Sequence, residues 1–110
     1  MNSGPQSRRG TRIPCEIPAR LIGLNPERTF SDSCLVVLIN PYGCAARFPF
    51  RIDVGSDVRL EGLPAANSAV ARVISCISFG ATEKFCLLGL ALTEPGNVWG
   101  VEKPPEDWNR

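Results

Sequence analysis

Three arginines, Arg8, Arg9 and Arg12, stand close together near the start of the chain, in the stretch SRRGTR. Guanidinium groups bind phosphates through paired hydrogen bonds and stack on aromatic faces, so a cluster of them suits a nucleotide. On charge pattern alone, a solvated basic tail is the simpler interpretation. The net charge of the chain is only +1, yet residues 1–28 carry five arginines against two glutamates. Any anion-binding capacity is therefore expected at the front of the molecule.

The rest of the sequence lacks the residue types on which most enzymes depend. It has no histidine, the commonest general base and the commonest metal ligand. It also has no HExxH, Walker or GxGxxG motif. The cysteines are odd in number, form no CxxC pair and sit among apolar residues, which predicts reduced, buried side chains; they are Cys15, Cys34, Cys44, Cys76 and Cys86. We therefore expect a protein that is not an enzyme and has no metal or cofactor.

Composition and length indicate one soluble domain. The chain has 110 residues, of which 44% are hydrophobic and 21% charged. No apolar run reaches the ~20 residues of a membrane helix, and MNSGPQSRRG lacks the apolar segment of a signal peptide. These features predict a cytoplasmic protein without membrane insertion. Aromatic residues are only 7% of the chain, and the strand faces lack the basic and aromatic interleaving that binding to a nucleic acid polymer needs.

Strand patterns recur about every ten residues, while helical periodicity is almost absent. CEIPARL (15–21) alternates between apolar and polar residues, and Pro14 and Pro18 predict that this strand is an edge or carries a break. Further strands are predicted at CLVVLI (34–39), CAARF (44–48), DVRLEG (57–62), SAVARVISCIS (68–78) and KFCLLGLALTE (84–94). NPYG (40–43) is typical of a turn, with Gly43 free to take a positive φ. Six short strands predict an all-β, small antiparallel barrel of Greek-key type, since closure removes exposed edges.

This pattern divides the chain into three parts. We expect residues 1–12 to form a flexible N-terminal arm, 13–94 the barrel, and 95–110 a C-terminal extension that packs back on it. A helical turn is predicted after Pro104–Pro105, with acidic residues in its first turn. Trp99 and Trp108 of the extension are predicted to plug the barrel, or alternatively to bind a partner.

The order of these elements, with RRGTR before the first strand and a glycine turn after the second, resembles the PilZ domain family over residues 7–94. That family is a small six-stranded bacterial barrel whose usual ligand is cyclic di-GMP, often bound as an intercalated dimer. Its RxxxR motif is matched by Arg8 and Arg12, with Arg9 making a double arginine. The resemblance implies that these arginines hold phosphates and stack on guanine.

The family's second motif, [D/N]xSxxG, is matched less closely by Leu38-Ile39-Asn40-Pro41-Tyr42-Gly43. Gly43 is kept, Asn40 replaces the serine as a hydrogen-bonding group, and Leu38 replaces the acidic or amide residue. In the other register, Asn40 would be the [D/N] residue, Tyr42 would replace the serine and Ala45 would replace the glycine. That register loses more of the motif than it gains. Leucine cannot hydrogen-bond a guanine edge. A buried base edge that is left unpaired weakens the free energy of ligand binding by about 1–3 kcal/mol.

Two further residues border this motif. Tyr42 adds a stacking face, or packs on the barrel as a turn aromatic. Arg47 extends an anionic pocket, or is one of the solvated arginines of the outward strand faces; the others are Arg20, Arg59 and Arg72.

The resemblance thus implies a cytoplasmic receptor that binds cyclic di-GMP through Arg8, Arg9, Arg12, Asn40 and Gly43, with Tyr42 and Arg47 beside them. The arm would become ordered on the ligand and present a new surface to an unidentified protein partner. The alternative is a degenerate PilZ-like domain that binds no nucleotide and acts as a protein-interaction adaptor. Leu38 is the best support for this alternative, and the tail with its two tryptophans would be its docking surface.

Overall fold

Six antiparallel strands close into a barrel in the computed structural model, which describes residues 10–80 and 84–109. The strands are β1 Ile13–Gly23, β2 Ser31–Asn40, β3 Gly43–Phe48, β4 Asp57–Glu61, β5 Ser68–Phe79 and β6 Phe85–Leu92. Around the barrel their order is β1-β2-β3-β6-β5-β4, so that β4, β1, β2 and β3 follow each other in the Greek-key arrangement. The predicted all-β six-stranded barrel is confirmed.

The ladder of β1 is irregular next to Pro14, the first of its two prolines. The register of β1 against β2 shifts between Pro14 and Ile17, which marks a β-bulge. Only Arg20–Gly23 of β1 pairs with β4, so both prolines belong to the part that pairs with β2 alone. The predicted break in this strand is confirmed.

The barrel interior holds the apolar residues that alternate along the strands. Val58 and Leu60 are fully buried, as their alternation in DVRLEG predicts. A continuous apolar run such as CLVVLI is typical of a strand that is buried on both faces, but only the inward face of this strand is buried. Cys34, Val36 and Ile39 of β2 are buried, whereas Leu35, Val37 and Leu38 are only half-buried. Of these three, Leu38 forms part of the wall of a groove described below.

The C-terminal extension folds back on the turn between β2 and β3. Gly96 donates a backbone hydrogen bond to Pro41, and Trp99 joins the core with only 3% of its surface exposed. A 3₁₀ helix follows the two prolines at Glu106–Asn109, with Glu106 and Asp107 in its first turn as predicted. Because Trp99 is buried, it cannot be part of a docking surface, and that expectation is wrong for this residue.

The five cysteines are free thiols, buried or half-buried. Burial raises the pKa of Cys34 to about 11 and also raises the pKa of Cys44 and of Cys15. These thiols therefore stay protonated at neutral pH. In the part of the chain that the structure describes, no helix is long and apolar enough to cross a membrane.

Candidate functional site

A groove of about 410 Å³ lies on the outer wall of the barrel, across β2, β3, β6 and β5. Its floor consists of two adjacent cross-strand pairs, Gly43 with Ala91 and Ala45 with Gly89. None of these four residues has more than a methyl side chain, so the backbones of β3 and β6 are almost bare. Neighbouring strands lie about 4.8 Å apart, and two such pairs therefore make a flat surface on the scale of an aromatic ring.

Sequence reasoning missed half of this floor, although a signal for it was present. In FCLLGLAL the buried positions are Cys86, Leu88, Leu90 and Leu92. The alternate positions, which face outward, include Gly89 and Ala91. Small residues on the solvent face of a strand mark a place where something approaches the backbone closely.

The walls of the groove are mainly apolar. Leu38 stands on the β2 side, opposite Ala45, and Ile74 and Ile77 stand on the β5 side. Ser75 also lines the groove, where the register of β5 against β6 shifts between Val73 and Ser75. A β-bulge of this kind re-aims side chains. A Cβ atom built on Gly89 would collide with the Ser75 hydroxyl, so this glycine makes room for a polar group that sequence reasoning missed.

Arg12 lines the groove from the N-terminal arm. It is exposed, and among the described residues its guanidinium has no ion pair and no hydrogen bond. Arg59 and Arg72, in contrast, pair with Glu61 and Asp57. Arg12 is thus an available cation at the groove. Arg8 and Arg9, predicted to act with it, lie outside the described residues.

Asn40 lies beside the groove, but most of its hydrogen-bonding capacity is used within the protein. Its Oδ1 accepts hydrogen bonds from the backbone amides of Tyr42 (2.8 Å) and Gly43 (3.0 Å), an Asx turn that fixes the NPYG hairpin. Its Nδ2 donates to the carbonyl of Gly10 at 3.2 Å. Asn40 therefore shapes the turn and holds the arm, and one amide hydrogen remains for a ligand.

Gly43 is required for the close approach of two strands, and not for the positive φ that the turn pattern suggests. The residues with positive φ in the described part of the chain are Gly55, Gly62, Gly80 and Gly100, so the expected positive φ at Gly43 is wrong. A Cβ atom at Gly43 would instead collide with the carbonyl oxygen of Leu90. The glycine allows β3 to approach β6 closely at the end of the groove floor.

Tyr42 lines the groove as predicted and is half-buried. Arg47 does not line it. Its guanidinium lies over the ring of Phe85, 4.2 Å from the centroid. Arg47 pairs with Leu87 of β6, two positions beyond the Ala45–Gly89 pair of the floor. Arg47 therefore belongs to a neighbouring region and is not grouped with Arg12.

That neighbouring region is an apolar surface formed by Ile77, Phe79, Phe85 and Leu87. Ile77 is 52% exposed and Phe79 41% exposed, and the rings of Phe79 and Phe85 stack with centroids 5.2 Å apart. Leu87 pairs with Arg47 on one side and with Ile77 on the other. The solvent face of an antiparallel strand is normally polar, so this apolar surface is unusual.

The groove offers a flat floor, apolar walls, one available guanidinium and a hydroxyl. Such an arrangement is suited to a planar, anionic ligand. No group of three histidine, cysteine, aspartate or glutamate side chains that could hold a metal ion occurs within residues 10–80 and 84–109. Comparisons with protein-family models, curated proteins and solved structures gave no match to this chain.

Proposed function

We propose that this chain is a PilZ-like receptor that binds cyclic di-GMP in the groove and does not turn it over. The observation that carries the proposal is the position of Arg12, an arginine without an ion pair or hydrogen bond to the described residues, at a groove whose floor is nearly free of side chains. A cyclic dinucleotide needs both features, because its bases are flat and its phosphates are anionic. The strand order, the RxxxR stretch and the glycine at the β2–β3 turn add support from the sequence.

In this proposal each part of the groove has a separate task. The guanidinium of Arg12 binds a phosphate, and Arg8 and Arg9 assist on the strength of the motif alone. A guanine ring covers the floor between Gly43 and Gly89, with Leu38 against its rim. The Ser75 hydroxyl and the remaining amide hydrogen of Asn40 line the groove and can pair with the polar edge of the base.

The proposed receptor acts in the bacterial cytoplasm, where this second messenger is made. Binding would change the surface around the groove, and a protein partner would read that change. The apolar surface borders the groove through Ile77 and Leu87, so ligand and partner would lie side by side.

The proposal is tested by isothermal titration of the protein with cyclic di-GMP. The wild type should bind with micromolar affinity, and Arg12→Ala should weaken binding at least tenfold, because a charge-assisted contact to phosphate is lost. Arg20→Ala is the matched control, since Arg20 is an exposed arginine of β1 that bonds Ser31 and does not line the groove. Absence of heat with the wild type at ~100 μM ligand would overturn the proposal.

In the adaptor alternative, the docking surface would be the apolar surface of Ile77, Phe79, Phe85 and Leu87, and not the tail tryptophans. Its partner would present apolar side chains to Ile77 and Phe79 and a carboxylate to Arg47, which has no ion pair among the described residues. Apolar peptides with an acidic residue should then bind the wild type, and Ile77→Asp and Arg47→Glu should each abolish that binding. Cyclic di-GMP should have no effect on it.

A further inference from the structure

The two ends of the described chain are joined by hydrogen bonds that sequence reasoning did not anticipate. The carboxylate of Asp107 accepts bonds from the backbone amide of Thr11 at 3.1 and 3.0 Å, through its two oxygens. The Thr11 hydroxyl donates to the same carboxylate at 2.8 Å. Bonds to an ionised acceptor are stronger than those between neutral groups. Asp107 therefore fixes the residue immediately before Arg12.

Two further bonds hold the same short stretch of the arm. The indole nitrogen of Trp108 donates to the carbonyl of Thr11 at 2.7 Å, and Asn40 holds the carbonyl of Gly10 at 3.2 Å. Gly10 itself is packed closely, because a Cβ atom there would lie 2.9 Å from the Pro41 ring. The polar groups of Gly10 and Thr11 are thus bound to the β2–β3 turn on one side and to the 3₁₀ helix on the other.

This set of contacts explains why Arg12 lies at the groove. Residues 10–12, the described part of the arm, lie outside the strand ladder, since β1 begins at Ile13. Without the tail, the arginine would sample many positions, and a ligand would have to order it on binding. With Thr11 held at its amide, hydroxyl and carbonyl, the backbone next to Arg12 is ordered before the ligand arrives, and only the arginine side chain remains to be ordered.

We propose that Asp107 and Trp108 are positioning residues, which hold the arm so that Arg12 is pre-organised for an anionic ligand in the groove. This inference rests on the proposed function for the identity of the ligand. The tail then becomes part of the binding machinery, and any partner that pulls the 3₁₀ helix away would weaken ligand binding.

The inference predicts that loss of Asp107 weakens ligand binding, whereas electrostatics alone predicts that it strengthens binding. Replacement of Asp107 therefore tests the inference. Asp107 is an anion bound to Thr11, the residue next to the phosphate-binding arginine, so its removal should help an anionic ligand if only charge matters. Glu106 is its exposed neighbour in the same helical turn, and Glu106→Ala removes the same charge. Under our inference Asp107→Ala weakens cyclic di-GMP binding about tenfold, while Glu106→Ala leaves it unchanged or slightly tighter.

A double-mutant cycle separates positioning from general destabilisation. In the Arg12→Ala background, Asp107→Ala should have little further effect, because the arginine that it positions is gone. Thr11→Val, which removes only the hydroxyl, should reproduce part of the loss. Equal affinities for Asp107→Ala and Glu106→Ala, or an Asp107→Ala loss of the same size in both backgrounds, would overturn the inference.

Hydrogen exchange of the ligand-free protein tests the anchoring of the arm separately from the binding of cyclic di-GMP. The Thr11 amide of the free protein should exchange slowly with deuterium, and Asp107→Ala but not Glu106→Ala should speed that exchange at least tenfold. Slow exchange together with absent nucleotide binding would contradict the proposed function and leave the anchoring of the arm standing. Fast exchange in the wild type would contradict the anchoring itself.

Discussion

The indole nitrogen of Trp99 donates a hydrogen bond to the backbone carbonyl of Asn40 at 2.8 Å, across 59 positions of the chain. The Asn40 side chain at the same time closes the β2–β3 turn and binds Gly10 of the arm. One residue therefore connects the hairpin, the arm and the tail. Each of these segments either lines the candidate groove or holds a residue that lines it.

Substitution of Asn40 should separate its two side-chain roles. Asn40→Ala removes the acceptor for two amides and the donor to Gly10, and we expect a loss of about 1–3 kcal/mol in the free energy of unfolding. Asn40→Ser keeps a hydroxyl that can accept from the turn amides but is too short to reach Gly10. The free energy of unfolding of the serine variant, measured by urea denaturation, should therefore lie between those of the wild type and the alanine variant. The account would be contradicted if serine and alanine were equally destabilising.

Filling the floor of the groove should abolish binding without harming the fold. Ala45→Leu adds an outward side chain over the surface that the base is proposed to cover, whereas the core side of β3 is unchanged. We expect loss of cyclic di-GMP binding and a change of less than about 1 kcal/mol in stability, as for most surface substitutions. Ser68→Leu, an exposed position of β5 that does not line the groove, is the matched control. Unchanged affinity in Ala45→Leu would place the ligand elsewhere.

Leu38 is the residue at which the second motif departs most from the resemblance, and it lines the groove opposite Ala45. A carboxylate at this half-buried position could accept from the guanine edge, so Leu38→Asp should tighten cyclic di-GMP binding about tenfold. Leu38→Ala is the control for the loss of the apolar wall and should not tighten binding. Calorimetry with cyclic di-AMP should show no gain, because adenine lacks the donor pair of guanine. Weaker binding of cyclic di-GMP by Leu38→Asp would contradict the register we assign to the motif.

Burial of Cys34 should make the fold sensitive to alkaline pH. Its pKa is raised to about 11 in the folded protein, while an unfolded thiol titrates near 8.5. Between these two values the unfolded chain binds fewer protons than the folded one, so stability falls as pH rises. Urea midpoints should therefore decline from about pH 9 upward. Cys34→Ala should lessen that decline without abolishing it, because burial also raises the pKa of Cys44 and Cys15. A decline of the same slope in Cys34→Ala would mean that other groups cause it.

The strands could be predicted because an alternation of apolar and polar residues is a local signal. CEIPARL and DVRLEG carry it, and the structure gives them the predicted inward faces. The groove could be predicted only in part, since its floor pairs residues of β3 with residues of β6, more than forty positions apart. The roles of Asn40 and Asp107 depend on partners at the other end of the chain, which no local pattern contains. The position of Arg47 outside the groove could not be predicted, because Phe85, on which it stacks, reaches it only through strand pairing.

The central claim is that cyclic di-GMP binds on the floor between β3 and β6, beneath Arg12. The most direct test is a titration of isotope-labelled protein, observed through its backbone amide resonances. We predict that the largest shifts occur at Arg12, Gly43, Ala45, Gly89 and Ala91, with no comparable shifts in β4, on the opposite side of the barrel. Shifts centred on β4, or no shifts at ligand concentrations of about 1 mM, would contradict the account.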